Sequence, residues 1–242
     1  MSLRAEDTQI NQMSIQFRRI KQLLPWAILI VFVMWPALSP SQSPQAWNKL
    51  DRQAKAIRYI GQSLPELTGQ ITRVARTDLD KARALFTWTA THLYYDQLNS
   101  DQEANWDNRQ PIAIIARGKG VCWDYATVFQ ALCQRAGILC LRVTGYAPVR
   151  IPDSRIPELP NHAWNVFRID STWYLADVTW QSGAPEGNDL FQMQTGNDYF
   201  GTPPGLFATN HLPEHPMYQL LDCPLSPEEF AMTVRINPQA LR

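Results

Sequence analysis

The sequence predicts an α+β fold in which one central helix packs on an antiparallel sheet. Apolar side chains recur at alternating steps of three and four between Cys122 and Ala136, as they do on the buried face of a helix. Runs rich in β-branched and aromatic residues follow at 138–146, 161–169 and 172–180. The last two runs are separated only by Asp170 and Ser171, a spacing typical of a two-residue hairpin turn.

The composition is that of a globular chain with no strong electrostatic preference. Its 242 residues are 45% hydrophobic and 18% charged, which suits one compact domain with an appendage. Lysine and arginine together number 22, as do aspartate and glutamate, so no net field would attract nucleic acid. Nucleic-acid binding is therefore excluded from the functions considered.

An apolar segment near the N-terminus predicts export. Three basic residues precede the run from Leu23 to Leu38, which has no charged residue but contains Pro25 and Pro36. Its 16 residues would span about 24 Å as a helix, less than the roughly 30 Å hydrocarbon core, which favours a signal peptide. An uncleaved anchor with its basic side inside is the alternative. Residues 1–43 are thus predicted to be a signal peptide or membrane anchor plus linker, with the protein periplasmic, extracellular or anchored to the membrane.

Two helices are predicted ahead of the central one. Ser43 and Pro44 form a start signal for the first, which should end near Gly61. Thr77 opens the second, which should brace the central helix. The expected buried faces comprise Trp47, Leu50, Ala54, Ile57 and Ile60 in the first helix, and Ala82, Leu85, Phe86, Thr89 and Leu93 in the second.

Several connecting segments are predicted as loops. Residues 96–110 are polar and should form an exposed loop near the site entrance. Pro111 then starts a short helix that leads into the glycine turn at 118–120. Four prolines prevent residues 148–160 from forming a central strand. Beyond Trp180 the chain is expected to be loop-like until a short helix from Pro227 to about Val234.

A cysteine follows the glycine turn at the start of the central helix. Unpaired backbone N–H groups and the positive end of the helix dipole both favour a thiolate at this position. A thiolate there is suited to nucleophilic attack if a base lies nearby. The plain alternative for Cys122 is a small buried core residue.

The predicted hairpin supplies a candidate base and a group to orient it. If the strands pair directly across Asp170 and Ser171, His162 faces Thr179 and Asp177 lies on the same face two residues away. Diagonal neighbours lie about 7 to 8 Å apart at the backbone, so imidazole and carboxylate can meet. With the cysteine, these two side chains form a candidate nucleophilic triad.

Four segments together resemble the transglutaminase-like superfamily of papain-type cysteine enzymes. They are GVCWDYA at 120–126, VTGY at 143–146, HAWN at 162–165 and WYLADVTW at 173–180. The stretch from Asp198 to Asp222 is similar to the tail of the kyphoscoliosis-peptidase-like branch, and the likeness covers about residues 78 to 230. It implies a papain/transglutaminase-like core with Cys122 as nucleophile, His162 as general base and Asp177 as the residue that orients it.

The resemblance also implies an activity. Residues 44–242 would be a catalytic domain with a C-terminal extension that performs cysteine-dependent acyl transfer at amide bonds. A peptidase or amidase acting on envelope or extracellular proteins is favoured. A transglutaminase that joins glutamine to amines, and a non-catalytic protein-interaction module, stay open. The expected partner is a protein or peptide substrate, with membrane contact only through the N-terminal segment.

No cofactor and no metal are predicted. His211 and His215 lie four residues apart around Glu214, a spacing that a helix would use for zinc. Pro213 and Pro216 prevent that helix and argue against such a site.

The remaining cysteines and tryptophans have more than one reading. Cys133 and Cys140 are predicted to be buried hydrophobes or, in an oxidising compartment, a disulfide that leaves Cys223 over. The tryptophans that flank the triad, Trp123, Trp164 and Trp180, could line an acyl-binding groove or fill the core, with Trp164 and Trp180 nearer the cleft.

Trp106 is a candidate second donor to the oxyanion.

Overall fold

The computed structural model describes residues 44–96, 110–148, 156–183 and 199–234. The apolar run at 23–38, most of the loop at 96–110 with Trp106, and much of the proline-bearing loop at 148–160 lie outside these ranges. The predictions made for them stay predictions. Among the described residues, no helix has both the length and the apolar character needed to cross a bilayer.

Helices precede the main sheet, and shorter ones follow it. The helices are α1 (Pro44–Ala56), α2 (Leu64–Thr72), α3 (Asp78–His92), α4 (Pro111–Arg117), α5 (Cys122–Arg135), α6 (Val178–Gln181), α7 (Pro204–Phe207), a 3-10 helix (Pro216–Gln219) and α8 (Pro227–Met232). The α5 and α8 helices lie where the sequence predicts them, and α4 confirms the short helix after Pro111.

The main sheet is antiparallel and has the strand order β5-β4-β3-β6. The strands are β1 (Tyr94–Tyr95), β2 (Lys119–Gly120), β3 (Leu139–Tyr146), β4 (His162–Ile169), β5 (Thr172–Ala176) and β6 (Leu212–Pro213). The β1 and β2 strands form a separate parallel pair. The predicted α+β fold, with a helix on an antiparallel sheet, is confirmed.

The hairpin register is the predicted one. Ile169 pairs with Thr172, and Asn165 pairs with Ala176. Asp170 has φ +52°, and both common two-residue hairpin turns require a positive φ at this first central residue. A two-residue turn therefore fixes which side chains of β4 and β5 share a face.

The second strand of the hairpin, β5, is shorter than predicted. It ends at Ala176, and Asp177 begins the helical turn α6 because its side-chain Oδ1 accepts a hydrogen bond from the backbone N–H of Trp180 at 3.0 Å. Aspartate competes with a strand ladder in this way and favours helix caps. The expected strand pairing of His162 with Thr179 is therefore wrong, since Thr179 lies in a helix.

The first helix is also shorter than predicted. It ends at Ala56 instead of near Gly61, and Ile60 is 83% exposed. The next helix, α2, was not expected, although its start carries a capping box. Ser63 accepts from the backbone N–H of Glu66, whose carboxylate accepts from the Ser63 N–H at 2.9 Å.

The α3 helix braces α5 as predicted. Thr77 caps α3 through a reciprocal pair of hydrogen bonds with Asp80. The ring of Phe86 on α3 packs edge to face on Phe129 of α5, with centroids 5.8 Å apart, and Phe129 packs on Phe167 of β4 at 6.1 Å. These aromatic contacts fix the α5 helix against both its neighbouring helix and the sheet.

The segment after Trp180 has more structure than the expected loop. The β6 strand pairs with the end of β3, Gly145 opposite Pro213, and the Glu214 carboxylate accepts a hydrogen bond from the Thr144 hydroxyl. The C-terminal segment thus forms one edge of the sheet, where it pairs with the end of β3.

Replacing Gly145 by Ala should destabilise the fold by about 1 to 3 kcal/mol because the position is already filled. A Cβ there would lie 2.6 Å from the Trp164 ring and 2.7 Å from the Cα of Pro213. Gly69→Ala in α2 is the matched control, since its Cβ would meet nothing within 4 Å. We expect that control to stabilise by about 0.5 to 1 kcal/mol. Urea unfolding measures both, and equal effects of the two substitutions would contradict the prediction.

Candidate active site

A glycine turn delivers Cys122 to the start of α5. Gly118, with φ +70°, ends α4 in the left-handed conformation. The Asp124 carboxylate accepts a hydrogen bond from the Val121 N–H at 3.0 Å, and a Cβ at Gly120 would lie 2.5 Å from its Oδ2. Glycine is therefore required where the turn passes this carboxylate. Cys122 is the first residue of α5 and is partly exposed.

His162 and Asp177 meet in the interior, as the sequence predicts. The His162 Nε2 lies 2.6 Å from Asp177 Oδ2, within a short charge-assisted hydrogen bond. Asp177 is fully buried, and its backbone N–H donates to the Tyr199 carbonyl at 2.9 Å. This bond fixes the backbone of Asp177, and the His162 ring contacts its carboxylate.

The Cys122 thiol lies close enough to the His162 ring to affect its pKa by charge and hydrogen bonding. Since Nε2 is engaged by Asp177, Nδ1 is the nitrogen left for the sulfur. Burial by itself lowers the pKa of His162, but the charge and hydrogen bond of Asp177, and then those of Cys122, outweigh burial and raise it to about 10. The ring is therefore an imidazolium at neutral pH.

The Asp177 carboxyl responds in the opposite direction. Burial favours its neutral form, but the His162 charge, the His162 hydrogen bond and a hydrogen bond from His211 together lower the pKa of Asp177 well below its usual range. The result is a chain of cysteine sulfur, imidazolium and carboxylate, in which His162 and Asp177 are buried and Cys122 is partly exposed. Such a chain can activate a sulfur nucleophile and move a proton.

The structure places His211 beside Asp177, a position that the sequence does not predict. Its Nε2 lies 3.0 Å from Asp177 Oδ2, the oxygen that also contacts His162. The sequence suggested only a pairing of His211 with His215, but the His215 ring is exposed and accepts from the Met217 N–H at 3.3 Å. No periodicity or spacing connects His211 with Asp177, so no sequence pattern could have revealed the contact.

Three potential metal ligands lie close together among the residues that the structure describes: His162, Asp177 and His211. The two nitrogen-to-oxygen distances, 2.6 and 3.0 Å, are those of hydrogen bonds. A tetrahedral zinc ion with ligands at about 2.0 to 2.2 Å would hold its ligand atoms more than about 3 Å apart. The arrangement fits a hydrogen-bonded carboxylate better than a metal centre.

The tryptophans beside the triad divide between groove and core. Trp164 is buried, with its ring centroid 6.0 Å from that of His162. Trp180 is half-buried at 5.4 Å from the same ring. Trp123 is also partly exposed and stacks under the Arg142 guanidinium at 3.6 Å. Trp164 and Trp180 thus both pack near the His162 ring, and the predicted groove stays a prediction.

All four cysteines are free. Cys133 and Cys140 are buried side by side, as the hydrophobe prediction expected, and burial followed by their mutual hydrogen bond raises the pKa of Cys133. Cys223 is exposed. Cys122 is therefore the cysteine that combines partial exposure with a hydrogen-bonded base.

Comparison with known sequences identifies the domain. The profile of the transglutaminase-like superfamily matches residues 65–178, a range that includes all three candidate triad residues. The chain contains a transglutaminase-like domain. The match ends just after Asp177, so His211 lies in the segment beyond the matched range.

Two animal proteins are among the relatives of this transglutaminase-like chain. It is 33% identical to human kyphoscoliosis peptidase over 79% of this chain and 29% of that protein. It is 26% identical to Drosophila melanogaster hillarin over 81% of this chain and 26% of that protein. The chain thus spans less than a third of the length of these relatives. A solved structure of a candidate cysteine protease from Cytophaga hutchinsonii aligns with a TM-score of 0.39 and 25% identity, covering 48% of this chain and 36% of that one.

The pKa of His162 predicts how stability and activity change in alkali. Its folded value of about 10 exceeds the unfolded value of about 6.5, so its stabilising contribution is complete below about pH 6.5 and disappears as the pH rises through 10. Over the same interval the imidazolium loses its proton. Any reaction that uses this proton should therefore slow toward pH 10, while alkylation of Cys122, which needs only a thiolate, should not.

Parallel pH series of substrate turnover and iodoacetamide labelling, with circular dichroism as a check on folding, measure this difference. A turnover limb near neutral pH in folded protein would contradict it.

Proposed function

We propose that this protein catalyses acyl transfer at amide bonds through Cys122, His162 and Asp177, with hydrolysis of peptide bonds in envelope or extracellular proteins as the favoured reaction. One observation carries the proposal: a partly exposed thiol at a helix N-terminus is hydrogen-bonded to an imidazole that a buried carboxylate holds at 2.6 Å. The superfamily match adds support, and the similarity to a protein named a peptidase favours hydrolysis.

The first half of the reaction forms a thioester. The Cys122 thiolate attacks the amide carbon, and the carbonyl oxygen becomes an oxyanion. The backbone N–H of Cys122 lies in the first turn of α5, where N–H groups lack intrahelical acceptors, and can donate to this oxyanion. His162 then gives its Nδ1 proton to the leaving nitrogen as the C–N bond breaks. An amine leaves and an acyl thioester remains on the sulfur.

The second half of the reaction depends on which molecule accepts the acyl group. Neutral His162 removes a proton from water, which attacks the thioester carbon, and the C–S bond breaks to restore the thiolate and release a carboxylic acid. A primary amine in place of water would give an amide instead, which is the transglutaminase reaction. Asp177 stays ionised throughout and stabilises the imidazolium whenever it forms.

Selective alkylation tests whether Cys122 is an activated thiol. The Cys223→Ser variant removes an exposed cysteine, leaving Cys122 with two buried thiols. At about pH 6 an ordinary thiol is almost fully protonated, whereas an imidazolium-paired thiolate is not. We expect one iodoacetamide adduct by intact mass, lost in Cys122→Ala and slowed about 100-fold or more in His162→Ala.

The control for this experiment is wild-type protein labelled under denaturing conditions, in which all four cysteines should react alike. Absence of a selective adduct on the folded protein would overturn the proposal and leave a non-catalytic interaction module as the better account.

Isotope labelling separates hydrolysis from transamidation. A peptide substrate is incubated in water enriched in oxygen-18, with and without a lysine-type amine. Hydrolysis places the heavy oxygen in the new carboxylate, whereas transamidation adds the amine and leaves the product unlabelled. We expect the labelled acid to dominate even with the amine present. A product that consists of the amine adduct would assign the reaction to the transglutaminase class.

Export is tested separately from chemistry. Residues 1–43 are fused to a phosphatase that is active only in an oxidising compartment. We expect activity from this fusion, and none when the apolar run is interrupted by a charged residue such as Ile30→Lys. An inactive wild-type fusion would overturn the envelope or extracellular part of the proposal without affecting the triad.

A further inference from the structure

We propose that His211 is a positioning residue that holds Asp177 in place for His162, so that the segment beyond the matched domain completes the active site. The inference rests on the function proposed above and deepens it. In this role His211 acts through the Asp177 carboxylate, with which its ring forms a hydrogen bond.

The contacts around Asp177 carry the argument. Asp177 Oδ2 lies 2.6 Å from His162 Nε2 and 3.0 Å from His211 Nε2. Its other oxygen accepts from the Trp180 N–H at 3.0 Å. Three donors from three parts of the chain thus converge on one carboxylate, which is fully buried. Without His211, Oδ2 would lose one of its two donors, and only the His162 ring and the Trp180 N–H would resist rotation about the Cβ–Cγ bond.

The protonation of His211 suits this role. Burial first, and then the His162 charge, lower the pKa of His211, and they outweigh the opposing hydrogen bond and charge of Asp177 and the nearby Phe207 carbonyl. A neutral ring carries one proton. Placing it on Nε2 makes the bond to Asp177, and Nδ1, which has no hydrogen-bond partner among the described residues, then carries only a lone pair. His211 therefore donates to Asp177 without bringing a second positive charge that would compete with His162.

The His211 ring is itself tightly held. It stacks on Phe207 with centroids 3.9 Å apart and packs against Trp180 at 4.5 Å and Trp164 at 5.0 Å. Its backbone N–H donates to the Phe207 carbonyl at 3.0 Å, and the next residue, Leu212, starts β6, which pairs with β3. Because aromatic rings and the sheet edge hold His211 in place, its ring can restrain the carboxylate that it contacts.

Two substitutions of His211 distinguish its proposed role in positioning Asp177 from a role in packing. His211→Phe keeps an aromatic ring against Phe207 but removes the donor. His211→Gln keeps an N–H donor near the position of Nε2. Both are made in the Cys223→Ser background and compared with His215→Phe, which alters an exposed histidine four residues away.

In folded protein we expect His211→Phe to slow the iodoacetamide reaction of Cys122 by about 10- to 100-fold, the range for losing a hydrogen bond to a charged group. His211→Gln should recover most of that loss, and His215→Phe should have no effect. Equal rates for the Phe and Gln variants, or a wild-type rate in His211→Phe, would overturn the inference and reduce His211 to a packing residue.

A second readout does not depend on reactivity. The chain has four histidines, so selective nitrogen-15 labelling gives a spectrum that single variants can assign. We expect the His162 ring signals to shift in His211→Phe and to return toward wild type in His211→Gln. If wild-type Cys122 is unreactive, the proposed function fails while this readout still decides whether His211 positions Asp177. Unchanged His162 signals in His211→Phe would overturn the inference.

Discussion

Replacing Asp177 by Asn should lower the rate of acyl transfer by about 10³- to 10⁴-fold while leaving the fold intact. Donors reach both carboxylate oxygens, His162 and His211 at Oδ2 and the Trp180 N–H at Oδ1. An amide has one oxygen, so its NH₂ group must face at least one of these donors. Whichever way it turns, the side chain either loses the His162 contact or breaks the cap of α6, and it no longer balances the imidazolium charge.

Single-turnover acylation of Cys122 by a peptide substrate measures this effect. Asp78→Asn is the matched control, because Asp78 is an exposed aspartate that pairs with Lys81 within α3. That control should change the rate by less than about twofold. An Asp177→Asn enzyme that retains more than a tenth of the wild-type rate would show that the carboxylate is not required to orient His162.

Replacing Asp51 by Ala should lower the free energy of unfolding by about 3 to 5 kcal/mol, because it removes the carboxylate that pairs with a buried guanidinium. Arg83 Nε and Nη2 donate to the two oxygens of Asp51 at 2.9 and 2.7 Å, and Thr87 donates to the same carboxylate at 2.9 Å. The guanidinium lies 5.3 Å from the ring centroids of both Trp47 and Phe200. This cluster joins α1 to α3 and to the segment that follows α6.

Urea unfolding followed by tryptophan fluorescence measures the loss of unfolding free energy, and a double variant tests whether the charge causes it. Asp51→Leu combined with Arg83→Met removes both charges, and much of the lost stability should return. The exposed pair of Lys81 and Asp78 provides the contrast, since Lys81→Ala should cost less than about 1 kcal/mol. A double variant no more stable than Asp51→Ala would assign the loss of stability to packing and not to the loss of the Asp51–Arg83 charge pair.

The parts of the site that follow local rules could be predicted from the sequence. The turn at Asp170 and Ser171 fixes the hairpin register, and the register places Asp177 within reach of His162. The glycine turn and the apolar periodicity of α5 place Cys122 at a helix start. Each of these features depends on residues that are close in sequence, where the backbone geometry allows few alternatives.

Other features depend on competition or on distant contacts. The predicted strand does not continue past Asp177, because the carboxylate caps α6 instead. A single cap of about 1 kcal/mol favours the helix here. The α2 helix was missed although Ser63 and Glu66 form a recognisable capping box. His211 reaches Asp177 across 34 residues. Nothing periodic links them, and only the assembled β3-β6 edge brings them together.

The order of these residues along the chain also bears on synthesis. During translation the thiol at position 122 emerges 40 residues before His162, and the donor at position 211 emerges 34 residues after Asp177. A ribosome-bound chain that has released only α5 carries an unassisted cysteine at the start of an unpacked helix. Under the proposed function, the base, its carboxylate and the β6 edge must all emerge before the sulfur can be activated, so the nascent chain has no competent nucleophile until position 211 has left the ribosome.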